Sequence, residues 1–266
     1  MDKGKTFRAL HDKTFIMPNP SDVGTARFLE HLGFSALATS SAGYAFSRAL
    51  PDGGVRFEEM IAHCREMVAA VSIPVSADLE KGKGDSADSA AETIFAAEAA
   101  GLAGCSIEDY SGDPARPIYA FEHALDRVRA AAEAARALKR DFVFTARTEN
   151  FLHGRTDLDD TIRRLQHFAE AGADVLFAPG ISDPETLATI CRAVGKPVSV
   201  IAPKDQSVAS LAAAGIRRIS TGPRLTQSMF RAVADAAREM LDRGTFAFAG
   251  EGTPFAELQT LFSRRQ

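Results

Sequence analysis

At 266 residues, with 45% hydrophobic and 25% charged side chains, the chain can bury a sizeable core and falls in the size range of a single α/β barrel. A net charge of −4 and a pI near 5.9 advertise no basic face, so nucleic acid is not an expected partner. No apolar run approaches the ~20 residues that a bilayer span needs, and residues 1–13 are too polar for a signal peptide.

Short β-type runs alternate with helical segments along the whole chain. The patterns predict strands over residues 14–17, 35–40, 74–78, 104–108, 142–147, 175–178, 197–202 and 218–220. Helices are predicted between and after them, over 22–32, 57–71, 86–100, 121–138, 158–171, 184–194, 207–214 and 226–243. Eight β-then-α units predict a (β/α)8 barrel of the TIM type, filling residues 1–266 as one domain. Four helices run into a glycine just before the next strand, at Gly33, Gly101, Gly172 and Gly215, where a left-handed C-cap is expected. The alanine-rich stretch 130–137 suits a helix packed closely on its neighbours. Residues 244–266 form an extra C-terminal helical segment carrying Phe246, Phe248, Phe255 and Phe262, and these aromatics are expected to bury themselves on a neighbouring subunit. A homo-oligomer, dimer or tetramer, is therefore expected. Cys64, Cys105 and Cys191 are odd in number and lack CxxC spacing, which fits reduced thiols and a cytoplasmic setting.

Barrel enzymes gather their chemistry at the C-terminal ends of the strands. Those ends carry Ser40-Ser41-Ala42-Gly43, Asp78-Leu79-Glu80, Glu108-Asp109-Tyr110 and Arg147-Thr148-Glu149. Asp78 and Glu80 stand at i and i+2, so both project from one face where the strand gives out. Carboxylates held side by side repel unless a cation or a proton lies between them, and hard divalent cations prefer oxygen ligands. Pairing of Arg147 with Glu108 or Glu149 in a purely structural ion network is the competing reading.

These segments resemble the isocitrate lyase/phosphoenolpyruvate mutase superfamily, over nearly the whole chain. The resemblance is carried by Pro18-Asn19-Pro20-Ser21-Asp22, Ser40-Ser41-Ala42-Gly43, Leu50-Pro51-Asp52, Asp78-Leu79-Glu80-Lys81-Gly82-Lys83-Gly84, Ile107-Glu108-Asp109 and Ala146-Arg147-Thr148-Glu149, in that order. It implies a Mg²⁺-dependent barrel, with Mn²⁺ as the alternative ion, acting beside a 2-oxo acid through a pyruvate-like enolate. Position by position, it implies Asp78 as the direct metal ligand, with Asp52, Glu80 and Glu108 holding the metal's waters. It further implies that Ser40, Ser41, Ala42 and Gly43 receive the substrate carboxylate and that Arg147 faces the developing oxyanion.

The departures narrow the chemistry. The loop after the fourth strand, residues 111–119, lacks the Lys-Lys/Arg-Cys-Gly-His run of the isocitrate-type lyases, and Cys105 lies within the strand instead. The Lys and Asn that the phosphonomutases carry in that loop are absent too. Ala178 and Ile201 stand where many lyases carry a glutamate and an asparagine. Isocitrate and methylisocitrate are thus poor expectations, and the proton-transfer group is unassigned. Tyr110, with Arg116, Tyr119 and His153, lies near the rim; Tyr119 and Tyr44 read more readily as packing residues and His153 as a solvated loop residue. The segment 111–117 reads either as a lid or as a rigid surface loop. The expected function is a lyase for a small 2-oxo or 2-hydroxy carboxylate, cleaving C–C bonds or decarboxylating. A P–C bond enzyme and a non-catalytic metabolite-binding barrel are the alternatives.

Overall fold

The computed structural model describes residues 2–263. Its sheet holds eight parallel strands: β1 (Phe15–Met17), β2 (Leu37–Ala38), β3 (Val75–Asp78), β4 (Gly104–Glu108), β5 (Val143–Arg147), β6 (Val175–Phe177), β7 (Val198–Ile201) and β8 (Arg218–Ser220). The pairing order β1-β8-β7-β6-β5-β4-β3-β2 leaves a single seam, between the first two strands. There Ala38 N donates to Pro18 O at 3.1 Å and Asn19 Nδ2 to Thr39 O at 2.9 Å, so the sheet curls into a nearly closed (β/α)8 barrel. The expected fold stands.

Eleven α-helices accompany the strands among the described residues: α1 (Lys3–Leu10), α2 (Val23–His31), α3 (Ser41–Ser47), α4 (Phe57–Ala70), α5 (Ala87–Ala99), α6 (Phe121–Ala137), α7 (Leu158–Ala171), α8 (Pro184–Val194), α9 (Val208–Ala213), α10 (Arg224–Arg238) and α11 (Phe255–Ser263). Gly33, Gly101, Gly172 and Gly215 all take positive φ, between +88° and +112°, as the helix-end pattern requires. The alanine-rich α6 presents Ala124, Ala131, Ala132 and Ala134 to the core, and α5 presents Ala90 and Ala97; small side chains let these two neighbours approach closely.

Two helices were not expected from the pattern. α1 is capped by Asp2, whose carboxylate accepts from Gly4 N and Lys5 N, and it drives Phe7 into the base of the barrel. Phe7 is fully buried there against Met17, Ala36, Ala38, Ala103, Val143 and Val175, sealing the N-terminal end. α3 starts directly after β2, with Ser40 Oγ accepting from Gly43 N at 3.1 Å.

The C-terminal part is less deeply packed. α10 buries only Thr226 and leaves Met229, Phe230 and Val233 exposed. A π-helical turn over Glu239–Arg243 follows, and Glu239 accepts from Thr245 Oγ1, Ala247 N and Phe248 N to fold the next turn. α11 returns to α2, where Arg27 donates to Leu261 O and lies over the Phe262 ring. Phe246 and Phe255 remain 66% and 79% exposed, on the molecule's own surface.

Candidate active site

The strand ends and their loops bring the predicted polar groups to one mouth. A cavity of about 580 Å³ is lined by Ser41, Asp52, Glu80, Glu108, Tyr110 and Arg147, with Lys81, Glu149 and His153 completing its wall. A second, smaller cavity of about 50 Å³ runs below it into the barrel; Asp78, Arg147 and Ser40 are among its lining residues. Arg147 belongs to both.

Arg147 ends β5 and is the hub of the charges. Its Nη1 lies 3.3 Å from Asp78 Oδ2 and its Nε 3.3 Å from Glu108 Oε2, and Nε also bonds Glu149 Oε1. The guanidinium sits above the Phe177 ring, 5.1 Å from its centroid. Burial opposes its charge, but Glu108, Glu149 and Asp78 outweigh burial and hold its pKa well above the usual arginine value. The structural pairings considered for Arg147 therefore exist, and Asp78 joins them.

Asp78 ends β3. Its Oδ2 also accepts from Ser41 Oγ at 3.2 Å, while Oδ1 accepts from Glu80 N at 3.3 Å. That last contact holds Glu80 in a left-handed conformation, φ +52°, which an L-side chain adopts at a cost. Burial, with Asp78 and Asp52 nearby, pushes the Glu80 carboxyl up to about 7. Asp52 is raised by burial and by Asp78, and Glu108 is raised well above its usual value, chiefly by burial. Burial is the leading cause of each shift, and neighbouring acids add to it at Glu80 and Asp52.

That crowding is the test for a metal. The donors are carboxylate oxygens, suited to a hard divalent cation, and such a cation would relieve the repulsion that raises Glu80 and Asp52. Among the described residues no three His, Cys, Asp or Glu side chains gather as a direct ligand set.

Behind the mouth, Asp109 fixes the wall. It accepts from Thr148 Oγ1 at 2.8 Å, from Glu149 N at 2.8 Å and from Arg164 Nη1 at 3.1 Å, all buried. Ser40–Gly43 form the start of α3; Gly43 N is taken by Ser40 Oγ, while Ser41 and Ala42 lie in the first turn, whose N–H groups have no intrahelical acceptor. Tyr110 stacks flat on His153, with ring centroids 4.1 Å apart, and His153 Nε2 stands 3.6 Å from Glu149 Oε2. His153 is thus a wall residue of the cavity. Tyr119 and Tyr44 do pack: Tyr119 Oη donates to Asp85 and Tyr44 stacks on His63. Cys105 is fully buried core filler. The segment 111–117 is pinned by Ser111 N to Pro117 O at 2.7 Å, Ser111 Oγ to Arg116 O at 2.8 Å and Lys81 Nζ to Ser111 O at 2.9 Å, the bonding of a rigid loop. Lys81 and Glu149 were not among the expected site residues, although both follow directly in motifs that held them.

A barrel with an arginine ringed by strand-end acids defines the class, and comparison with known proteins gives the family. Residues 7–241 match the phosphoenolpyruvate phosphomutase family model. The chain is 30% identical to the uncharacterised protein Rv1998c of Mycobacterium tuberculosis, covering 96% of this chain and 95% of the relative. It is 34% identical to 2-methylisocitrate lyase of Escherichia coli K12, covering 73% and 68%. Among solved structures, a protein of Burkholderia cenocepacia J2315 provisionally described as a lyase/mutase superposes with a TM-score of 0.96 at 48% identity, over 98% of this chain and 96% of that one. The chain belongs to the phosphoenolpyruvate phosphomutase family, within the isocitrate lyase/phosphoenolpyruvate mutase superfamily.

Proposed function

We propose that this protein is a Mg²⁺-dependent lyase for a small 2-oxo or 2-hydroxy carboxylate, holding a pyruvate-like enolate while a C–C bond breaks or CO₂ leaves. The observation that carries this reading is the set of acids around Arg147 at one cavity. Asp78 would hold the metal directly and Asp52, Glu80 and Glu108 would hold its waters. When bound, the ion supplies positive charge beside the substrate's oxygen atoms. Arg147 is placed to face the oxyanion, stabilising charge that develops only as the bond breaks. The N–H groups of Ser41 and Ala42 would receive the carboxylate, with Ser40 fixing their turn. Tyr110, oriented by His153, is a hydroxyl of the cavity wall placed to move a proton. The three thiols are free, which favours a reducing compartment such as the cytoplasm. No helix among the described residues is long and apolar enough to cross a membrane.

P–C chemistry is the second reading, favoured by Lys81 on the cavity wall, whose ammonium would have to turn from Asp85 and Ser111 O to meet a phosphonate. Oxalate mimics the enolate, so calorimetry with oxalate is the test. The wild-type protein is expected to bind oxalate with Mg²⁺ and not with chelator, and Asp78→Ala is expected to abolish that binding. Unchanged affinity in the variant would remove Asp78 from the site. Turnover of oxaloacetate or of phosphonopyruvate then separates C–C from P–C chemistry. Metal-linked binding with no turnover of any 2-oxo acid would point to a non-catalytic barrel.

A further inference from the structure

The barrel core beneath Asp78 and Arg147 contains a cation without a counter-charge. Arg218 opens β8, is 3% exposed, and donates from Nε to Ser199 Oγ at 3.0 Å. Its Nη1 is buried with no hydrogen-bond partner. The other deeply buried arginines are satisfied. Arg127 donates to the carbonyls of Lys81, Gly84 and Ser86, and Arg164 pairs with Asp109 and Asp160. Among the described residues no carboxylate forms an ion pair with Arg218.

The surroundings explain why. Below lies His11, an imidazole that supplies no anion in either protonation state, and burial with the Arg218 charge pushes its pKa down to about 3. Above lies Asp78, already engaged by Arg147 and Ser41. Between them the 50 Å³ cavity is walled by the hydroxyl-bearing Ser76, Ser106, Ser199 and Ser220 together with Arg218. A single water takes ~10–15 Å³ by this measure, so the space holds about three to five water-sized groups, enough for a carboxylate. Water could accept from Nη1, but it would leave the buried charge uncompensated, and buried charges are ordinarily paired.

We propose that this core is an anion-binding site, with Arg218 as its cation and Ser76, Ser106 and Ser199 as hydroxyl donors, Ser220 Oγ being spent on Val200 O, taking a monoanionic group no larger than a carboxylate. The cavity reaches Ser40 and Asp78 at the mouth, so the group is either a free small anion or the second carboxylate of a molecule bound above. Arg147 and Asp78 line the same cavity from above, so an anion belongs to this site only where it sits against Arg218 Nη1, and that placement holds whether or not the enolate chemistry is correct.

Two measurements test it on the full-length protein. In thermal denaturation at fixed ionic strength, bromide or formate is compared with gluconate, which is too large for the cavity. The wild type is expected to melt about 2–4 °C higher with the small anions near ten times their Kd. Arg218→Met should lose that difference and Ser199→Ala should weaken it. In crystals of the wild type soaked in bromide, an anomalous peak is expected within hydrogen-bond reach of Arg218 Nη1. Should Arg218→Met fail to fold, the wild-type peak and Ser199→Ala decide. A peak that survives Mg²⁺ with oxaloacetate identifies a free-anion site; a peak displaced by oxaloacetate but kept with oxalate identifies a substrate carboxylate. No anion-specific shift together with no peak at Arg218 would overturn the proposal.

Discussion

Glu80 shows what burial beside other acids does to one group. Its carboxyl, raised to about 7 in the fold, returns to its ordinary 4.5 when the chain unfolds. Between those values the folded state holds a proton that the unfolded state has released, so folding is favoured at low pH. This contribution is complete below about 4.5 and is lost as pH rises through about 7. The metal-free protein is therefore expected to lose up to about 3 kcal/mol across that window, and saturating Mg²⁺ should flatten the slope; denaturant melts with chelator and with Mg²⁺ check it. The backbone points the same way. Glycine would accept φ +52° without strain, so Glu80→Gly is expected to stabilise the metal-free protein by about 1 kcal/mol while weakening metal-linked oxalate binding. A variant that binds oxalate normally would show that the acid is incidental. The gathering of Asp78, Glu80, Glu108 and Arg147 was legible because strand ends in a barrel share one rim. The stacking of His153 on Tyr110 was not, because residues 43 positions apart meet only through the loops after two neighbouring strands.

Among the elements, the seam between β1 and β2 depends on Asn19. Its amide donates to Thr39 O, and its Oδ1 accepts from Thr221 N at 2.8 Å and Gly222 N at 2.9 Å, tying the first, second and eighth strand ends together. Asn19→Ala would strand those groups, and a loss of about 2–4 kcal/mol is expected in chemical denaturation. A loss below about 0.5 kcal/mol would show that the seam closes without it. The eight strands were readable because apolar β-prone runs lead into polar loops. α1 escaped because Phe7 and Leu10 are too sparse to set a helical period, although Asp2 is a serviceable cap. α3 escaped because Ser-Ala-Gly-Tyr looks like a turn; only the Ser40 cap betrays a helix.

For the whole molecule, the unresolved matter is the apolar surface of α10 and the segment after it. Met229, Phe230, Val233, Leu241, Phe246 and Phe255 are all exposed, Leu241 and Phe255 most heavily. Folding back onto α2 covers Phe262 in part and leaves the others in water. We expect a second copy of the chain to cover them, as proposed for residues 244–266. Light scattering should give a dimer or tetramer, and the double substitution Phe246→Ser with Phe255→Ser should lower the mass or the dimer affinity by tenfold or more. A wild-type monomer at micromolar concentration would refute the expectation.

The plug that Phe7 makes has one more consequence. With its base shut, the barrel is a blind alley: whatever lodges deepest must enter before anything seated at the rim and must depart after it. Turnover on such a scaffold carries a built-in sequence of arrivals and departures, imposed by a phenylalanine at the far end from the chemistry.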